Sequence, residues 1–122
     1  MRGLLIPSTS SDPCLLVEVE PAKVAAAIGA ELFELVRERW LRDRRMVLVV
    51  DEEGLLRPNR PNVRATRFYP HGAGIVGDAL ILAEVDTDDG PDLGSLNGAQ
   101  VATLVGLDFL DSIQDGPAAG GR

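Results

Sequence analysis

Met46-Val47-Leu48-Val49-Val50 is the feature that most limits what this chain can become. The run is unbroken, β-branched, and closed by Asp51-Glu52-Glu53-Gly54, an acidic turn ending in glycine. Such a run reads as a strand, so the chain must build a sheet. Ile75–Val85 is a second long strand candidate, and Gly77 inside it marks a bulge or a close backbone approach. Gly3–Ile6 and Leu15–Glu20 are shorter strands separated by a Ser/Thr/Asp/Pro loop, an arrangement that suits a hairpin. Leu55-Leu56 is expected to open a return strand before Pro58 and Pro61 interrupt pairing.

Helical signals are short and lie between these strands. Pro21 suits a first helical turn, Ala22–Ile28 continue it, and Gly29 stops it. Asn62 is placed to cap Val63–Arg67. Asn97 and Gln100 have the spacing of a capping box, with Val101, Leu104 and Val105 as the buried stripe of a closing helix. Residues 31–41 stay open: Leu32, Leu35, Val36 and Trp40 fit a helical face, while Leu32-Phe33 and Leu35-Val36 fit a short strand. Asp86–Gly94 reads as an acidic turn.

A chain of 122 residues with 4% aromatic content supports one domain with an aliphatic core. The expectation is an α+β domain over residues 1–115, a small, mostly antiparallel sheet with two or three helices on one face, and a disordered tail over 116–122. Val17, Val24, Ile28, Val47, Val49, Ile75, Leu80, Leu82, Val101 and Leu104 are its expected core.

Charge divides the chain. Residues 1–67 carry 11 basic and 10 acidic side chains; the remainder carries Arg122 and nine acidic ones, for a net charge of −7 overall. That sign argues against direct nucleic-acid binding, which needs a basic field. Cys14 is the sole cysteine, so no internal disulfide forms; it is expected to pack rather than react. No apolar run approaches the ~20 residues of a membrane span. A soluble cytoplasmic protein is expected, with no membrane partner.

Five arginines, Arg37, Arg39, Arg42, Arg44 and Arg45, fall close together, and Arg57, Arg60, Arg64 and Arg67 follow. Guanidinium forks match phosphate, yet Glu34, Glu38 and Asp43 lie among them and are expected to pair with them. Asn62, Arg64, Arg67 and Tyr69 form the candidate binding set, able to hold a phosphate and stack a base. Glu84–Asp92 is rich in carboxylates but lacks the glycine and glutamate positions of a calcium loop, so a polar turn is expected and no metal. Gly72-x-Gly74-x-x-Gly77 precedes a strand rather than following one, which removes the dinucleotide reading. His71, the single histidine, has no evident partner, and Asp51, Glu52 and Glu53 are adjacent on a turn. No catalytic residue and no cofactor are assigned.

Val50-Asp51-Glu52-Glu53-Gly54-Leu55, Pro61-Asn62 with Arg64-Ala65-Thr66, and Ile75-Val76-Gly77-Asp78-Ala79-Leu80-Ile81 together resemble the "domain of unknown function 3846" family. Those small proteins occur largely in phages, plasmids and the bacteria that carry them. The resemblance spans roughly residues 15–107. It implies a strand rather than a helix at residues 31–36. Leu41–Arg45 and Arg57–Arg60 depart from the family pattern. No chemistry is assigned to the family, so none is carried over. The leading expectation is a non-enzymatic accessory protein of a mobile element that binds a host protein through its acidic C-terminal half. The alternative is a small-ligand or nucleotide-binding protein using the arginines. Self-association into a homo-oligomer is a third.

Overall fold

The computed structural model describes residues 1–56, 60–70, 72 and 74–117. Its strands are β1 (Arg2–Ile6), β2 (Cys14–Glu18), β3 (Phe33–Val36), β4 (Met46–Asp51), β5 (Ala79–Thr87), β6 (Gly90–Gly94) and β7 (Ile113–Asp115). They form one sheet in the order β3-β4-β5-β1-β2-β7, with β6 also paired to β5. Every pairing is antiparallel except β2 with β7. β1 and β2 form the expected hairpin, with Leu4 opposite Leu16. The 75–85 strand starts later than expected, at Ala79, and runs to Thr87. Gly77 turns the chain into it at φ +83°, a region open to glycine at little cost.

Among the described residues four short α-helices accompany the sheet: α1 (Val24–Ala27), α2 (Arg39–Arg42), α3 (Val63–Thr66) and α4 (Gly98–Val105). Residues 31–41 are strand and helix in succession, β3 and then α2. α1 stops at Gly29 with φ +70°, as its sequence indicated. Both halves of the capping box at α4 are formed.

The core has two halves, one on each side of the sheet. Leu4, Ile6, Met46, Leu48, Val50, Ala79, Ile81 and Ala83 face α2, α3, α4 and Leu110. The alternate residues Val47, Val49, Leu80 and Leu82 face Val24 and Ile28 of the α1 region. Three helices, α2, α3 and α4, lie on one face as expected, and α1 adds a cover on the other. β4 is buried along its whole length because both of its faces are covered.

Three further expectations change. Leu55-Leu56 do not begin a return strand; Gly54–Leu56 form a single 3₁₀ turn. Both edges of β4 are already taken, by β3 and β5, so no hairpin partner fits there. Asp86–Gly94 is a hairpin rather than an acidic turn: Thr87 pairs with Gly90 around Asp88-Asp89. In α4, Val105 is 57% exposed and Leu104 carries the buried contact, with Val101 half-buried. All the other expected core residues are buried. β7 adds a strand beyond those expected, and the Gly116 N–H donates to the Leu16 carbonyl at 2.8 Å. Residues 118–122 of the expected tail lie outside the described residues. Among the described residues, no helix is long and apolar enough to cross a membrane.

Candidate functional site

The four candidate residues separate into three environments. Asn62 is 0% exposed and acts as a structural hub. Its Oδ1 accepts the Ala65 N–H at 3.0 Å, capping α3 as expected. Its Nδ2 donates to the Ile6 carbonyl at 2.8 Å and the Gly77 carbonyl at 2.9 Å. One amide thus joins β1, α3 and the approach to β5, and both of its donors and its acceptor are engaged.

Arg64 is 4% exposed. Its Nη2 donates to the Pro7 and Thr9 carbonyls, at 2.9 and 3.0 Å, and pins the loop between β1 and β2. Its Nε and Nη1 are buried without a partner among the described residues. Cys14 lies within its field and is itself fully buried. Burial pushes the thiol pKa up; the Arg64 guanidinium pulls it part of the way down, and Asp111 adds to the rise. The thiol therefore stays protonated at neutral pH, in keeping with the packing role expected of it.

Tyr69 belongs to a cleft of about 470 Å³ beside β3, together with Val36, Val50, Ile75 and Glu52. Asp51 is buried there, and its Oδ1 accepts the Glu53 N–H at 2.9 Å. His71, Arg57 and part of the glycine-rich string lie outside the described residues.

Arg67 reaches a groove in which two arginines lie over aromatic rings. This groove, also about 470 Å³, is lined by Trp40, Arg44, Arg67, Phe68 and Phe109, and by Arg39, Glu38 and Asp43. It is assembled from three segments. α2 supplies Trp40 and leads into Arg44, α3 leads into Arg67 and Phe68, and the turn after α4 supplies Phe109. Phe68 sits centrally, its ring centroid 5.7 Å from that of Trp40 and 5.2 Å from that of Phe109. Arg44 lies over the Trp40 ring at 4.1 Å, and Arg67 lies over the Phe109 ring at 4.7 Å. Each stacked pair is worth about 0.5–1 kcal/mol at an exposed site. The ring contacts hold both guanidinium groups in place; beyond the one bond that Arg44 makes to the Trp40 carbonyl, their remaining N–H groups can donate to a ligand.

Arg44 is fixed from two directions. Its Nη1 donates to the Trp40 carbonyl at 2.9 Å. Gln100 Nε2 donates to the carbonyls of Arg44 and Arg45, each at 3.0 Å, while Gln100 Oε1 accepts the Asn97 N–H. The capping residue of α4 thus also holds the end of α2, where Arg45 turns the chain at φ +55°.

Ion pairing among the arginines differs from the expectation. Asp43 pairs with Arg39, but Glu34 and Glu38 pair with none among the described residues. The principal partners come from β5: Arg37 forms a forked bond to Glu84, with a shortest distance of 2.7 Å, and Arg45 meets Asp86 at 3.0 Å. The hydrogen bond to Glu84, with its charge, raises the Arg37 pKa further. Among the described residues, Arg44 and Arg67 have no carboxylate partner. The groove therefore keeps a local excess of positive charge within an acidic molecule.

Trp40, Phe68, Phe109 and Arg44 were missed as a site in the sequence. Their positions span most of the chain, and only the packing of α2, α3 and the 107–110 turn on one sheet face brings them together. Among the described residues, no group of His, Cys, Asp or Glu side chains is arranged to hold a metal ion. The carboxylates of 84–92 are spread along a hairpin, and two of them are bound to arginines.

No protein-family model, curated protein or solved structure matches the chain.

Proposed function

We propose that this is a non-enzymatic binding protein whose groove between α2, α3 and the 107–110 turn takes a small ligand bearing a planar ring and an anionic group. Nucleotides are the class that fits. The observation that carries the reading is the pair of carboxylate-free guanidinium groups, Arg44 and Arg67, stacked on rings at either end of one aromatic row. Guanidinium planes extend a stack on their outer faces and fork onto phosphate oxygens at their edges. Phe68, at 5% exposure, supplies a rigid floor.

The test is thermal unfolding against a panel of nucleotides, cyclic dinucleotides and inorganic phosphate. Binding stabilises the native state by about 2.7 kcal/mol at a hundredfold excess over Kd. Stabilisation by a nucleotide that disappears in Arg44→Ala and Arg67→Ala supports the groove. A flat response across the panel removes the reading.

A second reading draws on the acidic C-terminal half and on the family resemblance: an accessory protein of a phage or plasmid that docks on a basic host surface. The observation favouring it is the β5–β6 hairpin, where Asp88, Asp89 and Asp92 stand exposed with no ion pair among the described residues. The acidic patch is smaller than the sequence suggests, because Glu84 and Asp86 are already held by Arg37 and Arg45. Salt-reversible capture of a stoichiometric host protein, lost in an Asp88→Lys/Asp89→Lys variant, supports this reading; capture unchanged by the substitutions opposes it.

A further inference from the structure

β3 is the end strand of the sheet, and among the described residues its outer side carries no partner strand. The Glu52 N–H donates to the Leu32 carbonyl at 3.1 Å, which sets the phase of the β3–β4 ladder. With Glu34 opposite Val50 and Val36 opposite Leu48, the main-chain groups of residues 32, 34 and 36 turn toward β4. Those of Phe33, Leu35 and Arg37 turn away from it. Among the described residues no strand pairs with that side.

The side chains along this edge are sorted by face. Val36 packs into the core half beneath α2, with Glu34 on the same side, and the cleft bearing Tyr69 opens there. Glu34, Glu38, Asp51 and Glu52 line that cleft together with Arg37, whose charge Glu84 offsets; Glu34, Glu38 and Glu52 hold no ion pair among the described residues. On the opposite face Phe33 and Leu35 pack against the other core half and remain partly exposed. An incoming strand would therefore meet carboxylates on one face and apolar side chains on the other.

We propose that the β3 edge binds an extended peptide segment of alternating basic and apolar residues by strand addition. The open N–H and C=O groups of Phe33, Leu35 and Arg37 supply the ladder, and the side-chain alternation supplies the specificity. Basic side chains on the cleft face meet Glu34, Glu38 and Glu52, and apolar ones on the other face extend the Phe33–Leu35 surface. Charge selects a foreign segment over a second copy of this chain. Two β3 edges paired antiparallel would bring Glu34 near its own equivalent, and like charges at an edge oppose such pairing.

The probe is a short synthetic peptide alternating arginine and valine, labelled for fluorescence anisotropy and read in parallel by amide hydrogen exchange. The proposal expects saturable binding and slowed exchange at the Phe33 and Leu35 amides. It expects about a tenfold loss of affinity, about 1.4 kcal/mol, in the Glu34→Lys/Glu52→Lys variant, both positions being exposed. N-methylation of the peptide amides that face β3 should abolish binding, and a peptide of equal composition without the alternation should bind weakly. No binding of the alternating peptide overturns the proposal. So does binding indifferent to N-methylation, or protection confined to the Trp40 groove.

Discussion

Asn62 and Arg64 at the start of α3, and Arg67 just past its end, belong to one sequence stretch but to two kinds of surface. The first two are buried and spend their polar atoms on the protein's own carbonyls: Asn62 on Ile6 and Gly77, Arg64 on Pro7 and Thr9. Arg67 is exposed and stacked on Phe109, and its guanidinium donates to no acceptor among the described residues. The same side-chain chemistry thus serves as an internal bolt at one end of a single helical turn and as a free donor at the other. What separates them is depth. α3 enters over the end of β1 and leaves toward the groove formed with α2.

This contrast predicts that the two ends respond to opposite measurements. The largest effect on stability belongs to Asn62→Ala. It removes the helix cap and two buried donors, leaving the Ile6 and Gly77 carbonyls unsatisfied, a cost of about 3 kcal/mol or more. Urea unfolding measures it directly. Arg64→Met comes next, at about 1 kcal/mol. The lost bonds to the Pro7 and Thr9 carbonyls are partly offset by removal of two orphaned donors. Neither substitution touches the groove, so ligand response in the folded fraction should persist in both. Arg67→Ala reverses the pattern: stability changes by less than about 1 kcal/mol, while ligand stabilisation is lost. A strongly destabilised Arg67→Ala would break the contrast.

The smallest expected effect concerns Cys14. Its pKa is raised in the folded state by burial, so the native protein holds the proton where the unfolded chain releases it. The stabilisation is complete below the ordinary thiol range, about pH 8.5, and is lost as pH rises through the folded value. Unfolding free energy measured across this window should fall with pH in the parent and more shallowly in Cys14→Ala. Arg64→Met should raise the folded thiol pKa further, since the guanidinium opposes the burial effect.

The sheet was largely legible in the sequence because its signals are local. The apolar run of 46–50, the β1–β2 pair and the Asn97–Gln100 capping box each lie within a few neighbouring residues. The unbroken character of Met46–Val50 also carries more than strand identity. A strand covered on one face alternates, whereas one covered on both does not, so helices on both faces were implicit in that run. The Leu55-Leu56 error has the opposite origin: whether a strand has a free edge depends on β3 and β5, which are distant in sequence. Asn62 was placed correctly as a cap, but its 0% exposure and the commitment of its amide to the protein's own carbonyls depend on β1 and Gly77. The groove was the least legible feature. Trp40, Phe68 and Phe109 carry no shared spacing, and nothing local distinguishes the stacked Arg44 from the ion-paired Arg45 next to it.

Trp40 is the only tryptophan in the chain and lines the groove, so its fluorescence reports on the groove without a label. Titrating the parent protein and Arg67→Ala with the nucleotide panel, while following that emission, tests the binding account most directly. The account predicts a saturable change in emission as a ligand ring stacks near the Trp40–Arg44 pair, and its loss in Arg67→Ala. Emission unchanged at saturating concentrations of every nucleotide, or an identical response in Arg67→Ala, would contradict it.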